Sequence, residues 1–243
     1  MTRRGDYHKN VEFEYWKKIE KPHLILRLDG KCFSSFTRSL EKPYDKRLMQ
    51  IFKEVLLYLG KKYNVKWGYS QSDEISLYWD ISNSTREHIF GGKTYKINSV
   101  VASSCTVYFN EIVKSVLPSL ISKDDPPLFD CRCFGYDTEE DVLDYFKWRQ
   151  KDCFKNATTL IASKYFSHKE LLGKSTKERI AMIPESLDDC NTDFLYGLYL
   201  QKSRELRGLS YQEIEDLPEK HHARQNPNLI RECASFYLIE RRF

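Results

Sequence analysis

The chain has no C-x-x-C pair and no long apolar run. Its seven cysteines, Cys32, Cys105, Cys131, Cys133, Cys153, Cys190 and Cys233, are odd in number and scattered over 243 residues. That spacing argues against a zinc site and against a disulfide framework. Free thiols fit a reducing compartment. No stretch approaches the ~18 uninterrupted apolar residues of a membrane span. The segment Met1-Thr2-Arg3-Arg4-Gly5-Asp6 lacks the apolar centre of a signal peptide. A cytoplasmic protein with no membrane partner is expected. Glycine and proline are scarce, at 10 and 8 residues, which excludes collagen-like and low-complexity chains. His8, His23, His88, His168, His221 and His222 show no metal-ligand spacing, and no Ser/His/Asp or Cys/His arrangement is suggested.

What remains is a globular composition, 41% hydrophobic and 30% charged, long enough to bury a real core. The net charge of +4 is weak evidence for a nucleic-acid partner, because many proteins of that charge bind none. Lys17-Lys18, Lys61-Lys62 and Arg241-Arg242 are scattered pairs and not a basic tail.

Apolar periodicity orders the chain. His23 to Leu28 reads as a strand ending at Asp29-Gly30. Asp45 opens a helix whose face is Leu48, Ile51, Phe52, Val55, Leu56 and Leu59, with Gly60 as its stop. Val65 to Tyr69 and Ile75 to Trp79 are β-prone runs around the polar turn Ser70-Gln71-Ser72-Asp73. A second helix places Ile97, Val101, Cys105, Tyr108, Ile112 and Val116 on one stripe, and Pro118 ends it. Leu128 to Tyr136 is a fourth strand. Thr138 caps a long helix running through about Phe166, and Ser175 caps a shorter one. The last ~60 residues yield only a short strand near Leu195 to Leu200. The fold class is therefore α+β: a ferredoxin-like antiparallel sheet in the order β-α-β-β-α-β, with helices and a helical C-terminal extension. Residues 1–140 form the core and residues 141–243 the extension packed on it.

In that topology the first and third strands are neighbours, which brings Asp29 near Asp73 and Glu74. Taken singly, each acid reads as an ordinary turn residue. Together, converging carboxylates repel unless a cation neutralises them. Oxygen-only ligands suit magnesium, and two such ions suit a phosphoryl displacement. Gly30, followed by Lys31, Cys32, Phe33 and Ser34, allows a backbone to approach a triphosphate. On the long helix, Arg149 and Lys151 are candidates for phosphate contacts, with Trp148 as a base-stacking surface; core packing explains Trp148 equally well.

Five blocks carry a resemblance. Arg27-Leu28-Asp29-Gly30-Lys31-Cys32-Phe33 resembles the R-L-D-G-R-x-F segment of the tRNA-His guanylyltransferase family. Lys42-Pro43-Tyr44-Asp45 resembles its K-P-x-D, and Tyr69-Ser70-Gln71-Ser72-Asp73-Glu74 its Y-G-Q-S-D-E. Phe129-Asp130-Cys131-Arg132 is similar to F-D-G-R, and Tyr145 to Cys153 to Y-L-x-W-R-Q-x-D-C. The blocks stand in family order over residues 20–160, and jointly they are highly specific.

The resemblance implies a palm-like core related to polymerases but working in the 3′-to-5′ direction. It implies that Asp29 and Asp73 hold two Mg²⁺ with the Gly30 carbonyl, and that Glu74 belongs to the catalytic set. Asp29 to Ser34 and Ser72 would contact the nucleoside triphosphate, and Lys42 and Asp45 would sit at the activation and nucleotide site. ATP or GTP would activate a 5′-phosphorylated RNA, which the 3′-hydroxyl of the incoming nucleotide then attacks. The partner would be tRNA or a tRNA-like RNA, held by Arg27, Trp148, Arg149, Asp152, Lys155 and Asn156, and the assembly would be a tetramer.

The chain departs from the family at several points. Phe154 stands at the His of the H-I-N-N block, of which Asn156 alone survives. Ser34 replaces a His of eukaryotic members, and Cys131 and Ser70 replace glycines. These departures favour the branch that repairs truncated tRNA 5′ ends on a template over strict guanylate addition to histidine tRNA. A cyclase or dinucleotide synthase on the same palm is a competing enzyme. A non-catalytic RNA-binding ferredoxin-like module is the competing reading from another class.

Overall fold

The computed structural model describes residues 17–83, 87–121, 125–219 and 231–239. Strand β1 (His23–Gly30) buries both of its faces, which is why its sequence is a continuous apolar run. After a one-turn helix α1 (Phe33–Phe36), helix α2 (Lys46–Tyr63) begins where the Asp45 side chain accepts from the Arg47 amide. Its buried face is Ile51, Phe52, Val55, Leu56 and Leu59, as the spacing predicts.

Gly60 does not stop this helix. Asn64 does, in the left-handed conformation at φ 51°. Gly60 is instead a packing position: a Cβ there would lie 2.1 Å from Leu200 Cδ2. Strands β2 (Trp67–Gln71) and β3 (Glu74–Asp80) form the expected hairpin, with Ser72 at φ 49° in its turn. Helix α3 (Thr94–Val116) buries Ile97, Val101, Cys105, Phe109 and Val113. The predicted stripe held for its first three members and then drifted, leaving Val116 exposed. Its i+3 step at Tyr108 rotates away from the core, whereas the i+4 step at Phe109 stays on it.

Strand β4 (Phe129–Tyr136) and helix α4 (Glu139–Ala162) follow, and the Thr138 side chain caps α4 by accepting from the Asp141 amide. Three short helices come next: α5 (His168–Leu171), α6 (Thr176–Met182) and α7 (Thr192–Tyr196). The Ser175 capping box is present as predicted. Strand β5 (Leu198–Arg207), helix α8 (Tyr211–Glu215) and strand β6 (Arg231–Ile239) complete the described chain. His8, His221, His222 and the Arg241-Arg242 pair lie outside the described residues.

The sheet has six antiparallel strands in the order β4-β1-β3-β2-β5-β6. Its first four positions are the predicted ferredoxin-like arrangement, with β1 and β3 side by side. The C-terminal extension is not all helix. Leu195 ends up in α7, and β5 and β6 lengthen the sheet beyond β2. Alternation along Arg204 to Arg207 puts charge on both faces, so no apolar period marks this strand.

Two layers cover the sheet. Leu24, Leu26 and Leu28 pack with α2 and α3 on one face. Ile25, Tyr69 and Tyr78 pack with Val142, Tyr145 and Phe146 of α4 on the other. The far end of α4 leaves the sheet and packs Ala157 and Ile161 against Leu171, Ile183 and Leu195.

Candidate active site

The end of β1 and the β2–β3 turn are joined by backbone. The Gly30 amide donates to the Asp73 carbonyl at 3.2 Å, and the Lys31 amide donates to the Leu128 carbonyl at 2.8 Å. The Gly30 loop is therefore fixed from both sides. Phe33 locks it from below, within 5.1 to 5.4 Å of Phe36, Phe109 and Phe129 by ring centroid. A Cβ on residue 30 would meet the Phe33 ring at 2.2 Å, so this position requires glycine. Cys32 takes φ 58°, which turns the chain into α1.

Asp29 and Asp73 thus arrive at one place by different routes. The Asp29 side chain is 36% exposed, with Arg132 Nη2 3.9 Å from its Oδ2. Asp73 is half-buried. Burial pushes its carboxyl above the ordinary range, and the charges of Asp29 and Glu74 push the same way, against a hydrogen bond from Ser72. Two carboxylates and the Gly30 carbonyl form an oxygen-only donor set with a surplus of negative charge. That set fits Mg²⁺, which takes one or two carboxylates and completes its shell with substrate phosphates.

A cavity of about 600 Å³ opens beside this end of the sheet. Of the expected nucleotide contacts, Gly30, Cys32, Phe33, Ser34, Lys42, Asp45, Ser72 and Asp73 line it. Asp29 and Lys31 lie outside its lining. Asn156 lines it too, the one expected RNA contact to do so. Asp45 is 3% exposed and holds Arg47 through Oδ1 and Oδ2. The Arg47 hydrogen bonds pull its carboxyl down to about 2. Lys42 Nζ donates to the Thr37 carbonyl at 3.1 Å.

Two expectations are corrected here. In the register, Glu74 stands opposite Asp29, but the residue is 5% exposed and both of its carboxylate oxygens are taken. Arg149 Nε donates to Oε1 at 2.8 Å and Nη2 to Oε2 at 2.6 Å. Arg27 Nε lies 3.6 Å from Oε2. A buried carboxylate needs such a partner, and α4 supplies it. Arg149 is 6% exposed and so does not face an RNA phosphate, and Glu74 is a strut beneath the turn rather than a free acid. Arg27 is half-buried in the same network. Asp152 accepts from Arg149 at 3.2 Å and from Asn156 at 3.4 Å. Trp148 is 54% exposed, and Lys155 is exposed beside it.

The wall opposite the Gly30 loop comes from α7, which the sequence reading passed over. Lys53 Nζ meets Asp193 Oδ2 at 2.6 Å, and the Tyr44 and Phe194 rings meet at 4.5 Å with a tilt of 32°. The Tyr69 hydroxyl donates to the Tyr196 carbonyl at 2.9 Å. A signal was available: Asn191 caps α7 by accepting from the Phe194 amide, and Gly197 follows it.

Comparison with known proteins agrees with this geometry. The family model for tRNA-His guanylyltransferase matches residues 5–137. The chain belongs to the tRNA-His guanylyltransferase family. That family consists of nucleotidyltransferases that act on the 5′ end of tRNA. An uncharacterised protein of Acanthamoeba polyphaga mimivirus is 32% identical over 203 residues, covering 75% of this chain and 70% of its own. The tRNA(His) guanylyltransferase of Debaryomyces hansenii is 32% identical over 155 residues, 59% of this chain and 57% of its own, so the chain spans little over half of that relative. A bacterial tRNA(His) guanylyltransferase-like protein in complex with ATP superposes with a TM-score of 0.75 at 30% identity, covering 82% of this chain and 86% of that one. A structure with the same description but in complex with GTP gives 0.69 at 29%, covering 82% and 85%.

Proposed function

We propose that this chain is a magnesium-dependent, 3′-to-5′ nucleotidyltransferase that repairs the 5′ end of truncated tRNA, with the opposite strand of the acceptor stem selecting the nucleotide. The observation that carries the repair reading is Phe154. Its ring stacks on Tyr196 at 5.3 Å and 18°, within the small core between α4 and α7. A histidine there would carry a hydrogen-bonding edge and a charge near neutral pH. Phe154 has neither, so it contributes packing and reads no nucleotide by polar contact. Templated repair needs little such reading, because base pairing does the selecting.

Asp29, Asp73 and the Gly30 carbonyl would hold Mg²⁺, which supplies charge compensation at the transferred phosphate. The loop from Gly30 to Ser34 would cradle a triphosphate, and ATP or GTP, as in the bacterial complexes, would be the activating nucleotide and substrate. A tetramer and a cytoplasmic setting complete the reading; the seven unpaired cysteines support a reducing compartment.

The test compares catalytic efficiency on 5′-truncated tRNA and on intact histidine tRNA, with each nucleotide supplied alone and then with the Phe154→His variant. The expected outcome is a preference for the truncated substrate with pairing-dependent choice of nucleotide. A preference for intact histidine tRNA with untemplated guanylate addition refutes the repair reading. Product formed from nucleotides without RNA points to a dinucleotide synthase instead.

A further inference from the structure

Helix α4 carries Lys147, Lys151 and Lys155 at successive i, i+4 positions, rising about 6 Å per step along one side of the helix. All three are exposed. Like charges at this spacing work against the helix, and the nearby acids do little to relieve them. Asp144 lies 3.4 Å from Lys147, as an exposed pair. Asp152 is engaged by Arg149 and Asn156. Among the described residues, no ion pair reaches Lys151 or Lys155. Trp148 stands on the same side, with more than half of its surface open. It is nevertheless braced: the Arg149 guanidinium sits 4.5 Å from its ring, and Tyr145 meets it edge-on at 5.9 Å. An exposed indole held in one orientation, beside three cations, is the composition of a nucleic-acid surface.

Its position matters as much. The lysines sit on the outward side of the same helix that reaches Glu74 beneath the catalytic turn through Arg149. The turn of helix just past Lys155 contributes Asn156, Ala157 and Leu160 to the cavity. The line of charge therefore runs up to the mouth of the site.

We propose that the outward face of α4 is a backbone track for the RNA: Lys147, Lys151 and Lys155 hold successive phosphates, and Trp148 provides a stacking surface beside them. The assignment rests on the reading of the substrate as tRNA. It takes phosphate binding away from the buried Arg149, keeps Lys151 and Lys155, and adds Lys147, which completes the line. Lysines hold phosphate as point charges without reading bases, which suits an enzyme whose nucleotide choice comes from pairing.

The experiment measures the dissociation constant of a 5′-truncated tRNA transcript across a salt series for four proteins. These are wild type, the triple variant Lys147→Gln/Lys151→Gln/Lys155→Gln, the same triple with Arg, and a control triple Lys61→Gln/Lys62→Gln/Lys114→Gln. The control removes equal charge from α2 and α3 on the other face of the sheet. The α4 Gln triple is expected to bind at least about tenfold more weakly, with a salt slope shallower by about 2. Its KM for RNA should rise while kcat at saturating RNA is retained. The Arg triple and the control should bind as wild type does, and Trp148→Ala should lose affinity without changing the slope. An unchanged constant and slope in the α4 Gln triple, or an equal loss in the control, overturns the track while leaving the tRNA reading intact. A wild type that binds no tRNA overturns both.

Discussion

The two faces of the sheet solve the same burial problem with different chemistry. On the α2–α3 side, β1 presents Leu24, Leu26 and Leu28 to an aliphatic and phenylalanine layer. On the α4 side, alternate residues of the same strands are Ile25, Arg27, Ser76 and Tyr78, and buried polar pairs are interleaved with aromatic rings. Ser76 and Tyr145 share a hydrogen bond at 2.8 Å, and Glu74 and Arg149 form a two-pronged ion pair. The apolar layer supplies non-directional burial. The polar layer supplies geometry, because each of its bonds fixes an orientation as well as a distance. It lies directly beneath Asp73. The difference teaches that one side of this sheet holds the protein together, while the other fixes the turn that bears Asp73.

The largest effect expected from breaking this arrangement is on activity. Asp73→Ala should lower nucleotide addition by roughly a thousandfold or more, since it removes charge compensation at the reacting phosphate. Its melting temperature should stay near that of wild type, because the turn is held by the Gly30 amide and by Glu74 rather than by the Asp73 side chain. Asp29→Ala should behave alike. Steady-state addition to tRNA, measured with thermal unfolding of the same samples, checks both. Near-wild-type turnover in either variant would remove that carboxylate from the catalytic set.

How much of this could be read from residues alone follows the same division. The apolar face was legible, since Ile51, Phe52, Val55, Leu56 and Leu59 obey one period and the strand pattern gave the order of the first four positions. The convergence of Asp29 and Asp73 followed from that order. The polar face was not legible. Arg149 and Glu74 are 75 positions apart, and each reads as a solvent-facing charge until the helix is laid on the sheet. The motif resemblance marked both as important but could not say that they are important to each other. The wall made by α7 was missed for another reason. A helix of five residues has no period to detect, and its burial comes from Ala157 and Ile161 of α4, from Leu171 and Ile183, and from contacts with Tyr44, Lys53 and Tyr69, most of them distant in sequence. Gly60 was misread because glycine near a helix end signals a stop, whereas here its missing side chain makes room for Leu200.

The ion pair offers the next sharpest test of the comparison. Arg149→Ala strips the buried Glu74 of both its hydrogen bonds and leaves it only the 3.6 Å contact with Arg27, which should cost about 3 kcal/mol in urea unfolding. Replacing both partners by apolar groups, Glu74→Leu with Arg149→Met, should recover part of that loss, because desolvation of the pair offsets much of its attraction while Arg27 loses its counter-ion. On the apolar face no such rescue exists: Leu26→Ala should cost about 2–5 kcal/mol through the cavity it leaves, whatever its neighbours carry. If the double variant is no more stable than Arg149→Ala, then the loss comes from packing, and the two faces differ less than their composition suggests.

The smallest effect concerns Asp45, a buried carboxylate at the start of α2 on the edge of the cavity. It is almost wholly buried, caps the helix through the Arg47 amide, and receives the Arg47 guanidinium on both oxygens. These bonds lower its carboxyl from an ordinary 3.8 to about 2. A carboxyl whose folded value is depressed contributes stability that is fully present above the unfolded value and is lost as pH falls through the folded one. The Asp45 contribution should therefore be complete above 3.8 and gone near 2. Asp45→Ala should destabilise the protein by about 1 kcal/mol near neutral pH, the usual cost of removing a helix cap. That gap, measured by urea unfolding in a pH series, should hold through mildly acid conditions and narrow below 3.8. Asn keeps a capping oxygen and loses the charge, so Asp45→Asn should show a smaller gap that narrows over the same range. A gap that stays constant into acid would mean that the carboxylate acts through shape alone. No loss of stability at all, together with impaired nucleotide binding, would place Asp45 wholly at the service of the cavity that it lines.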